Sequence, residues 1–358
     1  MDSTVPNISF NKYGMCNYCT NYLNRLSEIK YNDKNNREFL LKKTLNKIKI
    51  KERKKQYDCI VGISGGLDSS YLLYIIKKLG LRPLAVHLDN GWNSELAVSN
   101  IEKLVKKLDV DLYTYVIDWE EFKNLQIAFF KANVIDIEML TDHAIIATLY
   151  KVALQNKVNF IIAGTNIASE GIPLPQGWNH FKFDLTNIKY INKKFGSGNK
   201  IRSFPTINLI QYFKYRYINR IEWVSLLDYI DYVKDNAIKE LSSMDWRPYD
   251  KKHYESVFTR FYQGYILPHK FNVDKRKLHY STLICSSQIS RKEALRLMKK
   301  QTYDDESALK IDKDFVLKKL GINEKQFEEY IKTPPIPHNK YLSNKKIYKI
   351  VRGMIKLI

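Results

Sequence analysis

Apolar and polar positions along this chain change period several times. "DCIVGIS" (58–64) is a short β-branched run, and "SYLLYIIKKLG" (70–80) has the spacing of a helix that stops at a glycine. "RPLAVHLD" (82–89) reads as a second strand. Residues 94–109 put apolar side chains at 98, 101, 104, 105 and 108, one stripe of an amphipathic helix, and "DLYTYVID" (111–118) reads as a third strand. The helix "DHAIIATLYKVALQ" (142–155) leads into another apolar strand, "NFIIAGT" (159–165). Strand and helix alternate over short connections and the strands look buried. The expected fold is therefore α/β: a parallel twisted sheet with helices on both faces.

On either side of this core the texture differs. Residues 1–50 hold turn residues, a Cys-x-x-Cys pair and a charged connecting helix; residues 51–205 make the α/β unit. Residues 206–358 are aromatic-rich and show no obvious strand, which predicts a smaller, mostly helical substrate or partner domain. In the last element, 343–358, Ile347, Ile350, Val351, Met354, Ile355 and Ile358 form one stripe opposite lysines. Docking onto the protein's own body is expected, although an interfacial membrane helix has the same pattern.

With 358 residues and 44% apolar content the chain can bury a real core. No stretch approaches the roughly 20 apolar residues that span a bilayer, and the N-terminus lacks a secretory build, so a cytoplasmic protein without a membrane span is expected. Four cysteines are too few for a disulfide framework. Cys16 and Cys19 read as half a metal site, and Cys59 and Cys285 as structural. The net charge of +21 favours anionic partners, but lysine runs such as 47–55 and 340–356 also read as solvated faces.

The chemistry concentrates in "VGISGGLDSS" (61–70), where a strand passes through Gly65-Gly66 into a helix. Glycines let the backbone approach an anion, and the first amides of a helix lack intrahelical acceptors, so together they form a phosphate cradle. Ser64, Ser69 and Ser70 add hydroxyls. Asp68 can hold Mg²⁺ against phosphates or cap the helix. Neither the dinucleotide fingerprint nor the G-x-x-x-x-G-K-[ST] loop is present. Asp89 in "VHLDNGW" (86–92) and Gly164 and Asn166 in "AGTN" (163–166) end strands at the same sheet edge and should line a nucleotide site.

The S-G-G-x-D-S-S stretch resembles the pyrophosphate loop of the ATP pyrophosphatase superfamily, which includes GMP, NAD and asparagine synthetases and the tRNA thiolases. "DNGWNSELAVSNIEKLVKKL", "VIDWEEF", "TDHAIIATLYKVA" and, above all, residues 251–291 look like the N-acetyl sugar amidotransferases of lipopolysaccharide, pseudaminic acid and legionaminic acid biosynthesis. The resemblance runs from about residue 6 to about residue 335. It implies ATP and Mg²⁺, adenylation of an acetamido oxygen on a nucleotide-activated diacetamido sugar, and attack by ammonia to give an acetamidino group. Ammonia would come from separate glutaminase and cyclase-like proteins, and no nucleic acid is expected. In this reading Asp68, Lys275 and Arg276 are catalytic, Lys275 or Arg276 reaching the phosphates of ATP or of the substrate. Lys252, His253, Tyr254, Arg260 and Lys277 contact substrate or lie on a solvated helix face. His143 donates to substrate or caps its helix.

"PNISF" (6–10) and "GMCNYC" (14–19) also match these relatives, but their first cysteine pair has no counterpart. Structural zinc at Cys16 and Cys19 would then need other ligands, with His180 or His279 as options. The alternative function is a tRNA-modifying thiolase or lysidine-type ligase, suggested by the charge, the Cys-x-x-Cys and the shared loop. No recognisable tRNA-binding module accompanies it.

Overall fold

Strand alternation becomes a sheet in the computed structural model, which describes residues 1–28, 33–198, 200–249, 252, 254–303 and 305–355. The strands are β1 (Cys59–Gly62), β2 (Pro83–Asp89), β3 (Asp111–Val116), β4 (Phe160–Ile162) and β5 (Glu222–Val224), in the order β3-β2-β1-β4-β5. All neighbouring pairs are parallel. Helices α1 (Asn17–Leu26) and α2 (Lys34–Glu52) precede the sheet. Between β1 and β5 come α3 (Leu67–Lys78), α4 (Glu95–Leu108), α5 (Trp119–Lys131), α6 (Met139–Gln155), α7 (Ile167–Glu170), α8 (Leu185–Phe195) and α9 (Leu209–Phe213). After β5 the chain forms α10 (Lys234–Ser242), α11 (Val257–Phe261), α12 (Leu267–Phe271), α13 (Arg276–Cys285), α14 (Arg291–Met298), α15 (Glu306–Leu320), α16 (Glu324–Lys332) and α17 (Lys345–Ile355).

Successive strand residues point to opposite faces. Cys59 and Val61 join Leu72 and Ile76 of α3 and Ile101 and Leu104 of α4 in one core. Ile60, between them, joins Leu84, Val86 and Ile161 against Leu149 and Val152 of α6 on the other face. Each such side chain contributes about 1.5–3 kcal/mol when fully buried. A third core, away from the sheet, packs Phe122 and Phe129 of α5 with Phe258, Phe261, Leu317 and Phe327, and so joins the helical region to the α/β unit.

Two expectations change. The sheet does not end by residue 205: β5 pairs Glu222, Trp223 and Val224 with β4, and three residues are too few to show a period in sequence. The helix at 343–358 docks on the protein's own body, but not through the whole expected stripe: Val351 is half-buried, and the side chains of Met354, Ile355 and Ile358 lie outside the described residues. Tyr348 packs on Phe181, ring centroids 4.2 Å apart, while Ile347 and Ile350 are 54% and 57% exposed. Among the described residues no helix is long and apolar enough to cross a membrane.

Candidate active site

The β1–α3 connection is shaped by its glycines. Gly65 has φ +79, and a Cβ there would lie 2.6 Å from the Ala97 carbonyl oxygen, so both conformation and space exclude a side chain. Ser64 and Ser69 hydroxyls lie 3.2 Å apart, the Ser69 hydroxyl donates to the Gly66 carbonyl at 3.2 Å, and the Gly66 amide donates to Ser64 Oγ at 3.3 Å. At the end of β4, a Cβ on Gly164 would meet the Ser69 amide nitrogen at 3.1 Å. The first turn of α3 is thus approached closely by bare backbone.

Distant residues clamp this loop. Trp246 Nε1 and the Tyr249 hydroxyl each donate to the Gly65 carbonyl at 3.1 Å. The segment leading into α11 bridges residues 92–94: the Ser94 amide donates to the Glu255 carbonyl and the Val257 amide to the Trp92 carbonyl, both at 2.9 Å. Glu255 also sets its carboxylate against the loop, 2.9 Å from where a Cβ of Gly66 would lie.

Asp68, in the first turn of α3, is the centre of a polar network. Its carboxylate accepts from the Tyr232 hydroxyl, from Ser169 Oγ at 3.3 Å and from Lys252 Nζ at 3.4 Å; Lys252 also pairs with Glu170 at 2.7 Å. Burial disfavours the Lys252 ammonium, but Asp68 and Glu170 outweigh it and hold the group protonated above the ordinary lysine range. Burial, with the Asp68 charge beside it, pushes the Tyr232 phenol upward, so it remains a donor. A single carboxylate fits Mg²⁺, which takes one or two protein carboxylates and completes its shell with water and substrate phosphate.

A cleft of about 820 Å³ opens here. Ser64, Gly66, Asp68, Ser69 and Gly164 line one part of it; Lys252, Tyr254, Arg260, Lys275 and Arg276 line another. Lys275 lies 3.6 Å from Glu138. Arg276 pairs with Asp274 at 2.7 Å and donates to the Lys300 carbonyl, and Arg260 is clamped by both oxygens of Asp312 while lying over the Tyr254 ring. A smaller hollow of about 440 Å³ near Asp118 and Arg202 is held by Glu121, whose carboxylate accepts from the Ser203 and Phe204 amides.

Several expected residues stand elsewhere. Asp89 does not line the cleft, nor does any of residues 86–92; its carboxylate accepts from the Gly91 amide and Asn93, fixing a turn. Asn166 caps α7 through the Ser169 amide and donates to the Gly164 carbonyl. Gly65 does not line the cleft, and Ser70 is fully buried with no hydroxyl partner among the described residues. His143 is a correction: fully buried, it donates from Nδ1 to the Lys182 carbonyl at 2.7 Å and accepts the Ile207 amide at Nε2. Lys277 is another, pairing with Asp2 and Thr4 so that it ties α13 to the N-terminal segment. His253 lies outside the described residues.

The expected zinc does not fit. Tetrahedral zinc wants four ligands. Cys16 donates to Cys19 Sγ at 3.4 Å, and Cys285 is hydrogen-bonded to Cys19 as a third thiol. That bond and burial push the Cys19 thiol up, while the same bond lowers Cys285. Among the described residues no group of three His, Cys, Asp or Glu side chains is disposed to hold a metal ion. His180 is paired to Asp184 at 2.8 Å and His279 lines the cleft. Cys59 is buried, which raises its thiol and leaves it inert.

Tyr232, Glu170, Trp246 and Tyr249 escaped the sequence reading. The tryptophan and tyrosine in "WRPY" (246–249) carry no local signal of a partner some 180 residues away.

Two family models match the chain: NAD synthase over residues 39–179, and the LPS biosynthesis protein WbpG-like, C-terminal domain over residues 255–354. The tRNA(Ile)-lysidine synthase of Chlamydia pneumoniae is 37% identical over 70 residues, 19% of this chain and 21% of that protein. That of Chlamydia felis is 34% identical over 67 residues, 19% of this chain and 20% of that protein, so the chain spans about a fifth of the length of these curated relatives. Among solved structures, the NH3-dependent NAD synthetase of Campylobacter jejuni is similar with TM-score 0.31 and 15% identity, covering 58% of this chain and 84% of that one. The U34-tRNA thiolase NcsA of Methanococcus maripaludis is similar with TM-score 0.35 and 13% identity, covering 73% and 80%. Residues 39–179 are thus similar to NAD synthase and residues 255–354 to the WbpG-like C-terminal domain, and each match covers less than half of the chain.

Proposed function

We propose that this chain is an ATP-dependent carbon–nitrogen ligase, an N-acetyl sugar amidotransferase of surface-glycan biosynthesis. The observation that carries this reading is the shared cleft: the pyrophosphate loop and cations of the WbpG-like region, Arg260, Lys275 and Arg276, line one cavity. An amide carbon resists ammonia because resonance deactivates it and oxide is a poor leaving group. Attack of the acetamido oxygen on the α-phosphorus breaks the bond to pyrophosphate. Ammonia then adds to the activated carbon, AMP leaves with the oxygen, and an acetamidino group remains.

The chain's own residues supply binding and charge. Amides at the start of α3 receive the departing pyrophosphate. Lys252, held protonated, provides a fixed cation at the same end. Asp68 would hold Mg²⁺, which neutralises phosphate charge when bound. Lys275 and Arg276 would meet the nucleotide phosphates of the sugar. Ammonia would arrive from a separate glutaminase with its cyclase-like partner.

Pyrophosphate release should require a nucleotide-linked diacetamido sugar together with ammonia, and Asp68→Asn should lower it by about a hundredfold or more while the circular dichroism spectrum is unchanged. Release indifferent to every such sugar would contradict the reading. A tRNA-modifying activity is the second reading, favoured by the local likeness to tRNA(Ile)-lysidine synthase. It predicts salt-sensitive tRNA binding and tRNA-stimulated pyrophosphate release.

A further inference from the structure

The last helix leaves Ile347 and Ile350 in solvent, beside a second element that also exposes apolar side chains. In α17 the Tyr348 ring is the docked group, 4.2 Å from Phe181 and 6.3 Å from Phe213. Ile347 and Ile350 stay exposed, and so does Leu342 just before the helix. Phe213 ends α9 and stacks on Tyr217 at 6.0 Å, so the π-helical turn Lys214–Ile218 adjoins α17. Ile210 is 81% and Ile218 74% exposed, with Tyr217 half exposed. Lys214, Arg220, Lys346, Lys349 and Arg352 of the same two segments are exposed as well. Residues 209–221 and 340–355 contain no aspartate or glutamate.

Large aliphatic side chains, a tyrosine and five cations without a carboxylate make a surface with two requirements. It must shed apolar area from water and meet negative charge. Protein interfaces are depleted of lysine at their centres, whereas here each exposed isoleucine of the helix has an exposed lysine beside it in the chain, Lys346 by Ile347 and Lys349 by Ile350. A bilayer meets both requirements at one depth: acyl chains receive Ile and Leu, headgroup phosphates receive Lys and Arg, and tyrosine suits the boundary. We propose that the face formed by α17 and the α9 turn lays this protein on the surface of a bilayer containing anionic lipid.

Full-length protein sedimented with vesicles of phosphatidylcholine and phosphatidylglycerol should pellet, should stay in solution with phosphatidylcholine alone, and should be released by high salt. The double substitution Ile347→Glu with Ile350→Glu should weaken pelleting by roughly tenfold or more, and Lys346→Gln with Lys349→Gln should shift the salt at which the protein is released. All four residues are exposed and none lines the cleft, so ATP-dependent pyrophosphate release and the circular dichroism spectrum should be unchanged in both variants. No pelleting with anionic vesicles overturns the proposal. So does undiminished pelleting of the isoleucine variant, or a dimer in solution that the same variant abolishes, which would make the face a contact between copies.

Discussion

At Gly65 the requirement for the residue is physical and local. Its φ of +79 lies where L side chains are strained, and the Ala97 carbonyl fills the space a Cβ would need. Gly65→Ala should therefore destabilise the fold by about 2 kcal/mol or more, read as a lower urea midpoint, and should weaken ATP binding at the same time. A midpoint within about 0.5 kcal/mol of the parent would show that the loop can relax. Asp68 differs in kind: its neighbours Tyr232, Ser169 and Lys252 come from three other segments, so the isosteric Asp68→Asn, which keeps an acceptor oxygen and removes the charge, is the replacement that tests chemistry more than folding.

At the scale of elements, α6 is tied to two loops through His143, which binds the Lys182 carbonyl and the Ile207 amide. Burial, partly offset by the Lys182 carbonyl, holds this imidazole down from 6.5 to about 4, so it is neutral in the fold. As pH falls below about 6.5 the unfolded chain takes up the proton first, and stability is lost progressively until about pH 4. The loss is on the order of 3 kcal/mol. His143→Gln should flatten the dependence of the urea midpoint on pH in that window; an unchanged slope would place the titrating group elsewhere.

Legibility followed the same scale. Strands β1, β2 and β4 and the loop after β1 were readable because an apolar run near glycine is a local signal, and β3 because an amphipathic helix leads into it. Strand β5 was not, since three residues show no period and its partner lies 62 positions earlier in register. The stripe on α17 named a face but not its partner: Ile347 and Ile350 are exposed, while Tyr348, outside the stripe, packs on Phe181 and near Phe213. In the site, the loop side was visible in sequence, while the opposing clamp from Trp246, Tyr249 and Tyr232 depends on tertiary contacts. His143 and Lys277 were misplaced because a polar residue near a motif looks alike whether it faces a cleft or a neighbouring segment.

Over the whole molecule, the helical region closes on the sheet edge instead of standing apart. The bridge between residues 92–94 and 255–257 and the core shared by α5, α11 and α15 fix the WbpG-like region over the pyrophosphate loop. In the proposed reading one cavity would receive ATP phosphates at the α3 end and a second anionic substrate beside Lys275 and Arg276, both of which line it. The decisive measurement is a crystal structure of the protein with Mg²⁺ and an ATP analogue whose α,β-bridging oxygen is replaced by methylene. The β- and γ-phosphates should accept hydrogen bonds from amides between Gly66 and Ser69, with the metal ion at Asp68. A triphosphate seated elsewhere, with this turn empty, would contradict the account.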